Sequence, residues 1–292
     1  MHLLNTETLK LEEFIGKSIP PYAILSHVWG EDEFELSFED LKHHDINTLD
    51  YKRAGYSKVK NTCKNAVADG LKYVWIDTCC VDHTSSAELF EVINYMFSFY
   101  RKSEVCYVYL ADINITDGAQ HESLDFGSSR WFSRGWTLQE LLAPSVCKFF
   151  DSNWEFIGTR FHLSKTISEV TGIHPRYLRS EQDPREASCP SKMNWLSRRE
   201  CTRAEDIAYC VSGLFDLNLP LLYGEGERTF QRLQKEILKQ RKDTGVFSWY
   251  WDASVPDNWG SIFAPRPRLF DSSGLTPPIS QSNVVTSLPT SP

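Results

Sequence analysis

Tyr22-Ala-Ile-Leu-Ser-His-Val-Trp-Gly30 starts as an apolar run suited to a buried strand and breaks abruptly into Ser26, His27 and Trp29. Tyr73-Val-Trp-Ile-Asp-Thr-Cys-Cys-Val-Asp-His83 repeats the pattern, with Asp77 standing where the apolar run stops. Reactive polar groups are thereby set at the carboxyl ends of strands, which is where open α/β sheets bind ligands. Between the two runs, 57–69 reads as a helix with Ser57 as N-cap, Val59, Cys63, Ala66 and Val67 at helical spacing, and a stop at Gly70. After them, Leu89, Val92, Ile93, Met96, Phe97 and Tyr100 form a helical stripe in 87–102, and Val105 to Leu110 alternates into a strand. Ser128 to Leu142 reads as a loop entering a helix, which Pro144 ends before a strand at 146–150. Strand and helix alternate throughout, so the fold class is α/β: a mostly parallel sheet, helices on both faces, right-handed crossovers. Asp151-Ser-Asn153 is turn chemistry that folds 149–158 into a hairpin or edge extension.

The character changes beyond about residue 160. The stretch 175–192 is charged and contains Pro175, Pro184 and Pro190, which suits a connecting loop. Thr202-Arg-Ala-Glu205 has the form of a capping box before Ile207, Cys210, Val211 and Leu214, and 226–240 places Phe230, Leu233 and Ile237 on one helical face. The expected organisation is an α/β domain at 1–160, a helical extension at 161–250 and a C-terminal segment at 251–292. From about 271 that segment is rich in Ser, Thr and Pro and is expected to be disordered. No internal repeat is visible.

Composition narrows the function. The 292 residues carry a formal net charge of -8, which disfavours a nucleic-acid surface, since that needs a basic stripe to displace phosphate counterions. No apolar stretch approaches a transmembrane span and no signal peptide is recognisable, so the expected compartment is the cytoplasm. The eight cysteines are scattered without a C-x-x-C pair, mostly inside apolar runs where a thiol packs as a small hydrophobe. No metal site is expected.

A third block, Arg130-Trp-Phe-Ser-Arg-Gly-Trp-Thr-Leu-Gln-Glu-Leu-Leu-Ala-Pro144, completes an ordered set. Together the three blocks resemble the fungal heterokaryon-incompatibility (HET) domain, with its Ser-His-x-Trp-Gly, Trp-Ile-Asp-x-x-Cys-x-Asp and Arg-Gly-Trp-Thr-Leu-Gln-Glu-Leu patterns. His83 departs from the Gln or Lys usual in that family. Trp195, Arg203-Ala-Glu-Asp-Ile-Ala-Tyr209 and Leu221-Leu-Tyr-Gly-Glu-Gly226 resemble the segment that commonly follows a HET domain. The pattern is also remotely similar to the Toll/interleukin-receptor (TIR) fold, a flavodoxin-like arrangement. Ile24 to Asp32 sits where TIR domains run a strand into an acidic loop, and Trp136-Thr-Leu-Gln-Glu140 sits where NAD-cleaving TIR domains carry the helix with the catalytic glutamate. The resemblance implies an effector of incompatibility and programmed cell death, with Glu140 as catalytic residue and Ser26, His27, Trp29, Gly30, Asp77, Asp82 and Trp136 as ligand-binding residues. It implies no cofactor, with NAD entering only as a substrate. The alternative is a non-catalytic adaptor acting by self-association or with a sensor protein supplied in trans.

One carboxylate suffices for such chemistry. An alkoxide leaving group needs an acid as well as a stabilising anion; nicotinamide departs from a cationic ring nitrogen as a neutral molecule and needs none. An anion that holds the ribose and stabilises the oxocarbenium ion is enough. Each residue also has a structural reading: Glu140 as a surface partner of Arg130 or Arg134, Asp77 as a cap, His27 as a satisfied buried histidine, and Trp29, Trp75, Trp131 and Trp136 as packing. A Ser26-His27-Asp77 triad is rejected because adjacent strand residues point to opposite faces. Tyr223-Gly-Glu-Gly226 is too short and acidic for a phosphate loop.

Overall fold

The computed structural model describes residues 1–16, 19–30, 34–44, 46, 54–115 and 126–271. Among the described residues seven strands form one sheet: β1 (His2–Asn5), β2 (Leu11–Glu13), β3 (Ala23–His27), β4 (Tyr73–Trp75), β5 (Val105–Tyr109), β6 (Cys147–Phe150) and β7 (Phe156–Thr159). Their order is β2-β1-β4-β3-β5-β6-β7. The central pairs β4/β3, β3/β5 and β5/β6 are parallel, and β2, β1 and β7 add antiparallel edges. The chain therefore runs outward from β3 to β4, then crosses back past β3 to β5. The carboxyl ends of β3 and β5 flank the point where the winding reverses, the crevice favoured for ligands in such sheets.

Every residue of β3 is buried, as a central strand covered on both faces must be. The crossover helices are α2 (Ala54–Ala68) after β3, α3 (Ser86–Lys102) after β4 and α4 (Thr137–Leu142) before β6. Alternation within β3 shows the two layers directly: Ser26 bonds a residue of α4, while His27 lies among Lys58 of α2 and its partner Glu35. The helix α3 starts where expected, with the Ser85 hydroxyl accepting the Glu88 amide at 3.3 Å, and ends in Arg101 and Lys102, which complement its dipole. Trp75, Trp131, Tyr100 and Tyr107 are fully buried. Each such ring removes roughly 150–250 Å² from water, worth about 4–6 kcal/mol as an upper bound.

Several expectations require correction. The sequence reading assigns no element before Tyr22, where β1 and β2 lie, and the acidic stretch after Gly30 contains α1 (Phe38–His43), capped by a reciprocal Ser37–Asp40 box. The first crossover helix, α2, begins at Ala54, so Ser57 is inside it rather than its cap. The stretch 175–192 is not a loop: it holds α6 (Pro175–Leu178), a 3-10 turn at Pro184–Glu186 and the start of α7 (Cys189–Leu196). Pro175 and Pro184 open their turns and Pro190 sits in the first turn of α7, where a missing amide costs nothing. The helix α8 (Asp206–Ser212) lacks the expected capping box. Instead Thr202 accepts from Arg134 and Glu205 accepts the amides of Gly224 and Gly226 at 2.8 and 2.9 Å. The remaining α-helices among the described residues are α5 (Ser164–Thr171) and α9 (Arg228–Arg241). The expected disordered tail from about 271 lies outside the described residues, apart from Asp271.

Candidate functional site

Two polar clusters stand at the carboxyl end of β3, one on each face of the sheet. In the first, Ser26, fully buried, accepts the indole N–H of Trp131 at 2.8 Å and donates its hydroxyl proton to Glu140 Oε2. Glu140 is 6% exposed, and its pKa is pushed up to about 8, first by burial and then by the charge of Asp77; the Ser26 bond and Arg134 and Arg199 oppose the shift. Glu140 pairs with neither arginine of its own block at the surface. Arg130 is with Asp112, and Arg134 donates to Thr202. The carboxyl is enclosed rather than open to solvent.

In the second cluster His27 is buried, with Nδ1 3.8 Å from Asp77 Oδ1 and Nε2 3.9 Å from Glu35 Oε2. Burial and the nearby Lys58 ammonium hold its pKa well below the ordinary histidine value, so the ring is neutral. Lys58 is paired with Glu35, whose Oε1 also accepts the amide of Gly30 at 2.7 Å. A side chain at Gly30 would crowd that oxygen, the nearest atom to an added Cβ at 3.3 Å. Asp77 Oδ2 accepts the indole N–H of Trp29 at 2.7 Å, and the ring of His83 lies edge-on to Trp29 and hydrogen-bonds the Asp77 carbonyl. The Asp77 pKa is raised to about 6, chiefly by burial, with Trp29 opposing. At neutral pH Glu140 is thus protonated and Asp77 mostly ionised, two carboxyls driven apart by their surroundings.

Two of the proposed ligand-binding residues do not join these clusters. Asp82 accepts the amide and hydroxyl of Thr84 in a turn. Trp136 donates to Asp206 of α8 at 3.3 Å. Three residues of the clusters were not singled out for this role in the sequence. The sequence reads Trp131 as packing and marks neither Lys58 nor Glu35; Trp131 meets Ser26 across 105 residues and Lys58 meets Glu35 across 23, and no local spacing points to either pair. Ser26 and His27 do point to opposite faces, so no triad forms. Among the described residues no group of His, Cys, Asp or Glu could hold a metal ion.

The third block faces the C-terminal half. The Gly135 amide donates to Glu200 O at 2.8 Å, and a Cβ there would meet Cys201 Sγ at 2.3 Å and Cys210 Sγ at 3.0 Å. Buried Arg199 donates to Arg134 O and Thr137 Oγ1, and Gln139 donates to Tyr209 O. The helix that carries Glu140 is therefore held by residues from both halves of the chain.

Residues 22–124, which span the first two blocks, match the model of the family described as heterokaryon incompatibility protein (HET). The chain carries a HET domain. The vegetative incompatibility protein HET-E-1 of Podospora anserina is 44% identical over 226 residues, which is 76% of this chain and 16% of that protein. The chain thus spans only a small part of the length of the curated relative it matches, and that similarity is longer than the family match. No solved structure matches it. Among the described residues no helix is long and apolar enough to cross a membrane. Of the site residues, Ser26, His27, Trp29, Gly30, Asp77 and Asp82 lie inside the matched HET segment, and Glu140 and Trp136 lie beyond it.

Proposed function

We propose that this HET domain protein is a cytoplasmic effector of fungal vegetative incompatibility and the cell death that accompanies it, acting by hydrolysis of an NAD-type nucleotide at the β3 strand end. The role follows from the likeness to the Podospora incompatibility protein. The chemistry rests on one observation: a carboxyl, Glu140, hydrogen-bonded to Ser26 where the sheet reverses its winding, with Asp77 near enough for its charge to raise the Glu140 pKa. The placement of Glu140 on a short helix before the fourth parallel strand also suits the TIR-like reading.

In the free protein the proton on Glu140 makes it a poor anion at pH 7. The cationic nicotinamide ring reverses this, because an opposite charge favours the ionised carboxyl. The resulting carboxylate stabilises positive charge on the ribose as the C–N bond breaks. The bonding pair leaves on the ring nitrogen, giving neutral nicotinamide; water adds to the ribose carbon and loses its proton to Asp77 or solvent. Enclosure of Glu140 means that substrate entry requires α4 or the loop before it to move, which a trans-acting sensor or self-association would promote.

The test is NAD consumption by purified, concentrated protein, comparing wild type with Glu140→Ala and Glu140→Gln, each checked for folding by circular dichroism. Cleavage by wild type and its loss in folded variants is the expected result. No turnover by wild type, even when crowded, would make the protein an adaptor, with exposed Phe247, Tyr250, Trp251 and Ile262 as the first surface to test for assembly.

A further inference from the structure

The cluster around His27 carries an unmet hydrogen-bonding demand that the Glu140 chemistry does not use. Among the described residues, neither ring nitrogen of His27 has a hydrogen-bond partner, and Asp77 Oδ1 has none. Buried polar groups without partners are rare and costly, and call for an explanation. The separation of 3.8 Å between His27 Nδ1 and Asp77 Oδ1 is too long for a direct bond, but it fits one oxygen placed about 2.8 Å from each. A neutral imidazole offers one N–H and one acceptor nitrogen. With the proton on Nδ1, beside the negative Asp77, an intervening group must accept from the ring and donate to the carboxylate. A hydroxyl does both. On the other side, Nε2 and Glu35 Oε2 lie 3.9 Å apart, and with the proton on Nδ1 both are acceptors.

The two sides also differ in access. The Asp77 side chain is 18% exposed, against 8% for Glu35 and 1% for His27. Outside Asp77 lies the Trp29 indole, about two-fifths exposed, with His83 edge-on at 5.3 Å. A ligand arriving there meets an aromatic rim first and converging polar groups behind it, the usual make-up of a small-molecule site.

We propose that His27 and Asp77 together form a receptor for one sugar hydroxyl, entered past Trp29. That the sugar is a ribose of the nucleotide rests on the function proposed above; the receptor itself rests on the unpartnered atoms. Trp29 must swing from Asp77 as the hydroxyl enters, so Trp29 packs against the sugar while His27 and Asp77 hold it.

The experiment is calorimetric titration of the full chain with ADP-ribose and with analogues that each lack a single ribose hydroxyl. ADP-ribose is expected to bind, and one deoxy analogue to bind about tenfold more weakly or worse, the consequence of leaving a buried group unsatisfied. Asp77→Ala and His27→Gln are expected to weaken ADP-ribose and to abolish its advantage over that analogue. Failure of ADP-ribose to bind wild type, equal binding of all analogues, or retained discrimination in folded Asp77→Ala would each overturn the proposal. If the variants do not fold, the wild-type analogue series decides alone. Discrimination without NAD turnover would sink the hydrolase reading and leave this receptor standing; turnover abolished by Glu140→Gln but untouched by Asp77→Ala would do the reverse.

Discussion

Between pH 5 and 8 the folded chain holds a proton that the unfolded chain releases, because the Glu140 pKa is about 8 in its buried position against an ordinary value of 4.5. The native state binds more protons in this window, so stability falls as pH rises, by up to about 1.4 kcal/mol per pH unit. Asp77, raised to about 6, adds the same sign over a lower window. Glu140→Gln keeps the shape without the titration. Melting curves at pH 5, 7 and 9 are expected to show the Gln variant gaining on wild type as pH increases; parallel pH dependences would contradict the assignment. If Glu140 must ionise to act, NAD cleavage at low substrate rises with pH toward 8. Ser26→Ala removes both the acceptor for Trp131 and the donor to Glu140, and is expected to cost roughly 1–3 kcal/mol in denaturant titration. At this scale the sequence was legible where a polar residue interrupts an apolar run, which singled out Ser26, His27 and Asp77. It was silent on Lys58 and Trp131, whose roles are created by partners 23 and 105 residues away.

The third block shows how one short element can serve two neighbours. In α4 only six residues are helical, all of them buried, and its first turn is fixed from outside by Arg199 and Tyr209 while Ser26 meets Glu140 from β3. Gly135 has φ in no special region; it is required because Cys201 and Cys210 occupy the space of a side chain. Gly135→Ala is therefore expected to destabilise by roughly 1–3 kcal/mol, the usual range for overpacking, and calorimetry against Gly127→Ala, where only the Val170 side chain is in the way, gives the comparison. A larger effect at Gly127 would show that the joint yields easily. The alternating central strands and α3 were readable because their periodicity spans many residues. The antiparallel strands β1 and β2, of four and three residues, are too short to carry a period. The helical turns opened by Pro175 and Pro184 are not legible in the sequence because proline ends a helix from inside and opens one at its first position, and spacing alone does not say which.

At the scale of the whole molecule, the sequence suggests a boundary near residue 160, and the contacts across it set what that boundary means. Arg199 is a buried cation with its Nη1 spent on Arg134 O and Thr137 Oγ1. Gly213 has Phe97 and Gln139 within 3 Å of where a Cβ would stand, so α3, α4 and the turn after α8 close on one another without slack. Arg160 itself caps the end of α4 by donating to Leu141 O and Ser145 O, and donates as well to Ser180 from the other half. Cutting the chain here uncovers Trp136, Gln139 and Phe97 and leaves the Glu140 helix held only by the sheet. A 1–160 fragment is accordingly expected to keep much of its far-ultraviolet circular dichroism, lose its near-ultraviolet signal and bind a hydrophobic dye, the signs of lost side-chain packing. The 161–292 fragment added in trans is expected to restore part of the near-ultraviolet signal. A 1–160 fragment that melts cooperatively with native near-ultraviolet bands would make the α/β part an independent domain, and would then require the enclosure of Glu140 to come from the sheet and its own loops rather than from the helical half.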